Sequence, residues 1–131
     1  MTKIDTPRGT SKKILIVEDD EDFICIIREK FLGEGFPVVT AGNGEEGLEM
    51  LKEEKPDLIL LDIMMPIMDG MEMAKRMKEA KIGIPVIFLT NMGDVDHMSK
   101  AMEIIPSDYI IKADVPIDKI VAQVKKKLGI V

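Results

Sequence analysis

Three runs of this chain are apolar without interruption: Ile14-Leu15-Ile16-Val17, Leu58-Ile59-Leu60-Leu61, and Val86-Ile87-Phe88-Leu89 after Pro85. A strand with one face in water alternates apolar and polar residues, so a run without alternation reads as a strand buried on both faces. Phe36 to Thr40 and Tyr109-Ile110-Ile111 are weaker runs of the same kind, which makes five expected strands. Each is followed by a segment with helical spacing, and that alternation means parallel strands with helices on both faces.

The helices have readable ends. Helix one follows the acidic run Glu18 to Asp22, with Phe23, Ile26, Ile27 and Phe31 as its apolar side and Gly33 as its stop. Asp20 suits its N-cap. Asn43 with Glu46, and Asp69 with Glu72, have the spacing of capping boxes for helices two and three. Pro56 ends helix two. Met71, Ala74 and Met77 are expected to face inward on helix three, and Val95, Met98, Ala101 and Met102 on helix four. Helix five carries the stripe Ile117, Ile120, Val121, Val124 and Leu128. With right-handed crossovers, this is an α/β fold, a doubly wound five-stranded parallel sheet in the flavodoxin-like order 2-1-3-4-5.

Composition narrows the class further. With 131 residues, 46% of them hydrophobic, the chain fills one core. Eleven Met, four Phe and no Trp make that core aliphatic and adaptable. A net charge of −6 argues against direct nucleic-acid binding. No stretch has the length or apolarity of a membrane span. One cysteine, Cys25, makes no internal disulfide; its place in helix one reads as packing, and a cytoplasmic location is expected. Residues 1–11 read as a flexible N-terminal extension ahead of a domain over 12–131.

In a parallel sheet every carboxyl strand end lies on one edge, where ligands bind. Strand one brings Glu18 and Asp19 to that edge, strand three Asp62, strand four Thr90 and strand five Lys112. Adjoining carboxylates hinder one another's ionisation, which a divalent cation relieves. Hard oxygen donors open to water favour Mg²⁺ or Mn²⁺. A carboxylate nucleophile with a hydroxyl and an ammonium nearby suits phosphoryl transfer, because the group in transit spreads charge over its oxygens.

Val17-Glu18-Asp19-Asp20, Leu61-Asp62-Ile63-Met64-Met65-Pro66 with Met68-Asp69-Gly70, Leu89-Thr90, and Asp108-Tyr109-Ile110-Ile111-Lys112 together resemble the CheY-like receiver domain of two-component response regulators. The resemblance implies that Asp62 is the phosphoacceptor for a histidine kinase or a histidine phosphotransfer protein. It implies that Asp19, Asp62 and the Met64 backbone carbonyl ligate Mg²⁺, with Glu18 acting through water. Thr90 and Lys112 would take phosphoryl oxygens. Thr90 and Tyr109 would form the switch that alters the face of helix four, strand five and helix five, where an unknown downstream protein docks.

The sequence departs from the family pattern in three places. Ala113 stands where a proline usually follows the lysine, so a trans Lys112-Ala113 bond is expected. Asn91 replaces a small residue after Thr90, and Ile105-Pro106 replaces Gly-Ala after helix four. Met64 cannot orient an attacking water, so slow self-dephosphorylation is expected. His97 reads as a surface residue, and Lys125-Lys126-Lys127 as a solvated helix end.

Rival chemistries fit less well. A dehalogenase-type phosphatase needs a second carboxylate where Met64 stands, and the acidic loop after strand one repels a flavin phosphate. The chain is therefore read as a stand-alone receiver, not a turnover enzyme, although it assists its own phosphorylation. It is expected to be a monomer, with dimerisation on phosphorylation left open. The alternative is a receiver-like scaffold that never takes phosphate.

Overall fold

A computed structural model describes residues 12–91 and 95–130. The N-terminal extension and Asp94, beside His97, lie outside the described residues, as does the side chain of Val95. Strands and helices alternate as β1 Ile14–Val17, α1 Glu21–Gly33, β2 Val38–Ala41, α2 Gly44–Glu54, β3 Leu58–Asp62, α3 Gly70–Glu79, β4 Val86–Thr90, α4 Val95–Ile104, β5 Asp108–Ile111 and α5 Ile117–Leu128. All strand pairs are parallel and the sheet order is β2-β1-β3-β4-β5, the expected arrangement. Among the described residues no peptide bond is cis, so Lys112-Ala113 is trans as the missing proline requires.

The central strands β1, β3 and β4 are buried along their whole length, and alternation divides their side chains between two cores. Leu15, Val17, Ile59, Leu61, Val86 and Phe88 pack under α2, α3 and α4, against Leu51, Met73, Ala74, Met77, Met98 and Ala101. Ile14, Ile16, Leu58, Leu60, Ile87, Leu89 and Ile110 pack under α1 and α5, against Ile27, Phe31, Ile120, Val121 and Val124. On that second side Phe31 meets Phe36 edge to face, with ring centroids 5.5 Å apart. Among the described residues the buried methionines all belong to the first side.

Several local expectations need correction. In α1 the buried side is Ile27 and Phe31, while Ile26 is 56% exposed and Cys25 is also exposed. Apolar residues at 23, 24, 26 and 27 cover more of the helix than the core can accept. In α3 Met73 joins Ala74 and Met77 in the core, and Met71 is only half-buried. The capping boxes close on one side only. Asn43 Oδ1 accepts from Glu46 N, but Glu46 Oε1 accepts from Gly42 N, one residue earlier than expected. Asp69 Oδ1 accepts from Glu72 N, while the Glu72 carboxylate pairs with Arg76. At the end of α5, Lys125 pairs with Glu34 at 2.7 Å and Lys127 with Asp108 at 3.2 Å, so two of the three lysines are engaged.

Candidate functional site

The carboxyl edge of the sheet is built by register. Asp62 closes β3 opposite Leu89 of β4, and Thr90 lies opposite Ile111 of β5. Lys112 N donates to the Thr90 carbonyl at 2.9 Å, which holds the lysine one residue past the end of the ladder. On the other flank, Glu18 N donates to the Ala41 carbonyl at 2.9 Å. The β3–α3 turn folds back so that Gly70 N donates to the Ile63 carbonyl at 2.8 Å. A Cβ on Gly70 would collide with the Asp62 backbone carbonyl. Position 70 is thus glycine because helix α3 starts directly against the backbone of the key aspartate.

Glu18, Asp62 and Thr90 are buried polar residues at this edge, exposed by 0%, 3% and 1%, and Asp19 is exposed. Carboxylate oxygens of Glu18, Asp19 and Asp62 lie within 4.8 Å of one another. Lys112 Nζ stands 2.7 Å from Glu18 Oε1 and 3.7 Å from Asp62 Oδ2. The second Glu18 oxygen accepts from Asp20 N at 3.0 Å, and Asp20 Oδ1 in turn caps α1 by accepting from Asp22 N and Phe23 N. Glu18 is therefore fixed at both oxygens, and the cap expected of Asp20 is present.

Burial pushes the Asp62 carboxyl up to about 8, helped by hydrogen bonding and charge from Glu18; the Lys112 charge and the Met64 N–H oppose this. Asp19 is also raised, first by desolvation and then by Glu18. For Lys112 burial alone would lower the value, but the Glu18 hydrogen bond and the charges of Asp62, Glu18 and Asp20 outweigh it and leave it raised. One ammonium thus compensates three crowded carboxylates only in part. An all-oxygen donor set, one member of which opens to water, fits a hard divalent cation.

The structure brings Glu18, Asp19, Asp62 and Lys112 together, as read from the sequence. Thr90 ends the neighbouring strand, and its hydroxyl donates to the Asn91 carbonyl at 3.1 Å. Tyr109 is 42% exposed on the last strand. Met64 is also exposed and its N–H faces Asp62. Phe23 was read from the sequence only as a helix contact; its ring lies under Lys112 Nζ, 5.0 Å from the centroid. Its sequence signal was an aromatic in the first turn after the acidic loop, which does not specify a partner at the far end of the chain.

A five-stranded parallel sheet with helices on both faces and an acidic pocket at its carboxyl edge defines a class that comparison with known proteins identifies. The family model for the response regulator receiver domain matches residues 14–125, and the chain belongs to that family. Sporulation initiation phosphotransferase F of Bacillus subtilis is 38% identical over 118 residues, covering 90% of this chain and 94% of that protein. The alkaline phosphatase synthesis transcriptional regulatory protein PhoP of the same organism is 36% identical over 102 residues, 78% of this chain. The match spans only 42% of PhoP's length. The receiver domain protein of Methanospirillum hungatei superposes with a TM-score of 0.82 at 27% identity, covering 92% of this chain and 95% of that one. A two-component response regulator from Clostridium difficile gives 0.83 at 26% identity, covering 91% and 97%.

Proposed function

We propose that the chain accepts a phosphoryl group on Asp62 from a histidine kinase or a histidine phosphotransfer protein and signals by docking in the phosphorylated state. The observation that carries this reading is a buried carboxylate that shares its pocket with two further carboxylates and one lysine, at the edge where the sheet opens. An Asp62 oxygen attacks the phosphorus of a phosphohistidine; the new O–P bond forms as the P–N bond breaks, and the imidazole leaves with that electron pair. Lys112, already 3.7 Å from Asp62, is placed to meet a phosphoryl oxygen. The Thr90 hydroxyl meets another after turning away from the Asn91 carbonyl. Asp19, Asp62 and the Met64 carbonyl would hold Mg²⁺ or Mn²⁺, with Glu18 acting through water, and the ion would supply charge neutralisation for the transferring group. The apolar Met64 side chain, exposed beside Asp62, offers no group to orient an attacking water, so the phosphorylated state is long-lived.

The output follows from a change of charge. A dianion at Asp62 draws Thr90 inward, and Tyr109, now exposed, moves into the space behind it. The face of α4, β5 and α5 changes with it, presenting a surface to a downstream protein. Lys100 and Glu103 on that face are exposed, so substitutions there should alter docking and spare phosphorylation. The chain works as a signalling component and not as a turnover enzyme. The match over 94% of sporulation initiation phosphotransferase F supports a role as a small relay or diffusible regulator. A cytoplasmic site fits the kinase-facing role, and no helix among the described residues is long and apolar enough to cross a membrane.

Intact mass after incubation with acetyl phosphate and Mg²⁺ tests the reading. One phosphoryl group is expected on the wild type, none on Asp62→Ala, and none on the wild type in EDTA. A modified Asp62→Ala protein would remove the phosphoacceptor assignment.

A further inference from the structure

The Lys112 ammonium has neighbours of two kinds: two carboxylates, Glu18 at 2.7 Å and Asp62 at 3.7 Å, and the Phe23 ring, whose centroid is 5.0 Å away. Its backbone is tied to β4 through the Thr90 carbonyl, so the flexible four-carbon stem must carry the charge across the mouth of the pocket. The lysine side chain is nevertheless only 11% exposed. A cation this close to a ring face is attracted by the ring's quadrupole. Phe23 in turn is fixed in place. Its N–H donates to the Asp20 cap at 3.2 Å, and its ring packs against the core under α1 and α5.

We propose that Phe23 is a positioning residue for phosphoryl transfer: its ring face keeps the Lys112 ammonium over the pocket as the ammonium passes from Glu18 to a phosphoryl oxygen. This rests on the phosphoacceptor reading of Asp62. The physical reason lies in how the two kinds of contact differ. A carboxylate holds an ammonium through one of its three N–H groups and in a set direction. A ring face uses none of those donors, so the ammonium can swing between oxygen partners without leaving the ring. Lysine loses rotamer freedom when held, and a hold that survives the exchange of partners avoids ordering the side chain twice. Ala113 adds to the need for such a hold, because the residue after the lysine lacks the fixed φ of proline.

The test compares Phe23→Leu, Phe23→Tyr and a ring-fluorinated phenylalanine at position 23, each measured for the rate of phosphorylation by acetyl phosphate with Mg²⁺ and for its urea midpoint. Leucine fills space without a π face, tyrosine retains the face, and fluorination keeps the shape while draining the face. The leucine and fluorinated proteins are expected to react about three- to tenfold more slowly, and the tyrosine protein within about twofold of wild type. A purely structural role predicts instead that rate follows urea midpoint. A leucine or fluorinated protein that reacts at the wild-type rate would overturn the proposal, as would a tyrosine protein as slow as leucine. If the wild type itself takes no phosphoryl group, the phosphoacceptor reading fails separately, and the ring's hold is read from ¹³C relaxation at Lys112 Cε. Greater mobility in Phe23→Leu than in Phe23→Tyr supports the hold, and equal mobility overturns it.

Discussion

The two sides of the sheet are filled differently. Under α1 and α5 the core is Ile, Leu, Val and Phe, with Phe31 and Phe36 in an edge-to-face pair. Under α2, α3 and α4 it contains Met68, Met73, Met77 and Met98, with Met50, Met65, Met71 and Met102 packed around them. Branched and aromatic side chains have few ways to fit, whereas methionine adapts to irregular space. Strand alternation connects this difference to the site. Glu18 shares parity with Ile14 and Ile16, Asp62 with Leu58 and Leu60, and Lys112 with Ile110, all on the side under α1 and α5. Thr90 shares parity with Val86 and Phe88, and Tyr109 is out of phase with Ile110, which assigns both to the Met-rich side. Glu18, Asp62 and Lys112 are thus built onto the stiffer core, and Thr90 and Tyr109, the residues proposed as the switch, onto the softer one.

Core substitutions test that contrast with the largest effects. Phe31→Ala should cost about 3–5 kcal/mol in denaturant unfolding, whereas Met77→Leu should cost less than about 1.5 kcal/mol. Comparable losses from the two would erase the distinction between the sides. Next comes the charge pocket itself. Lys112→Met leaves Glu18 and Asp62 buried without their cation and should destabilise the metal-free protein by about 3–5 kcal/mol. Added Mg²⁺ should restore part of that loss, and a loss indifferent to Mg²⁺ would mean that the carboxylates do not share an ion.

The Asp62 titration gives a third, somewhat smaller effect with a defined sign. Its folded value, about 8, lies above its ordinary 3.8, so the neutral form suits the fold. The stability this contributes is complete below about pH 4 and is lost as pH rises towards 8. Asp62→Asn cannot ionise and does not lose it. In EDTA, Asp62→Asn should therefore exceed the wild type by about 2–4 kcal/mol at pH 8 and match it near pH 4, with Mg²⁺ closing the gap. A wild type that is the more stable of the two at pH 8 in EDTA would contradict the crowding of the pocket. The smallest effect concerns Ile67, 79% exposed in the β3–α3 turn with a φ of 68°. A β-branched residue is strained in that left-handed conformation, so Ile67→Gly should gain about 0.5–1 kcal/mol by thermal unfolding. A loss would show that the isoleucine side chain supports the turn.

Much of this arrangement was legible in the sequence because each polar site residue follows directly on an apolar run. Leu58 to Leu61 reads as a buried strand, and Asp62 follows at its end. What was not legible depends on phase or on distance along the chain. Five apolar residues crowd the first turns of α1, so the sequence could not decide that Ile27 would be buried and Ile26 and Cys25 exposed. The segregation of methionines required knowing which helix covers which face, and residue counts carry no such information. Phe23 meets Lys112 only because β1 and β5 deliver their ends to one edge. Gly70 entered the sequence reading only as part of the motif Met68-Asp69-Gly70, and its closeness to the Asp62 carbonyl appears only in three dimensions.

The division between a stiff ionic side and a soft switch side is tested most directly by methyl NMR of the protein before and after phosphorylation. The methyl resonances of Met98 and Met102 should shift, while those of Ile16 and Ile27, in the core beneath α1, stay in place. Shifts at Ile16 and Ile27 with Met98 and Met102 unmoved would contradict the account.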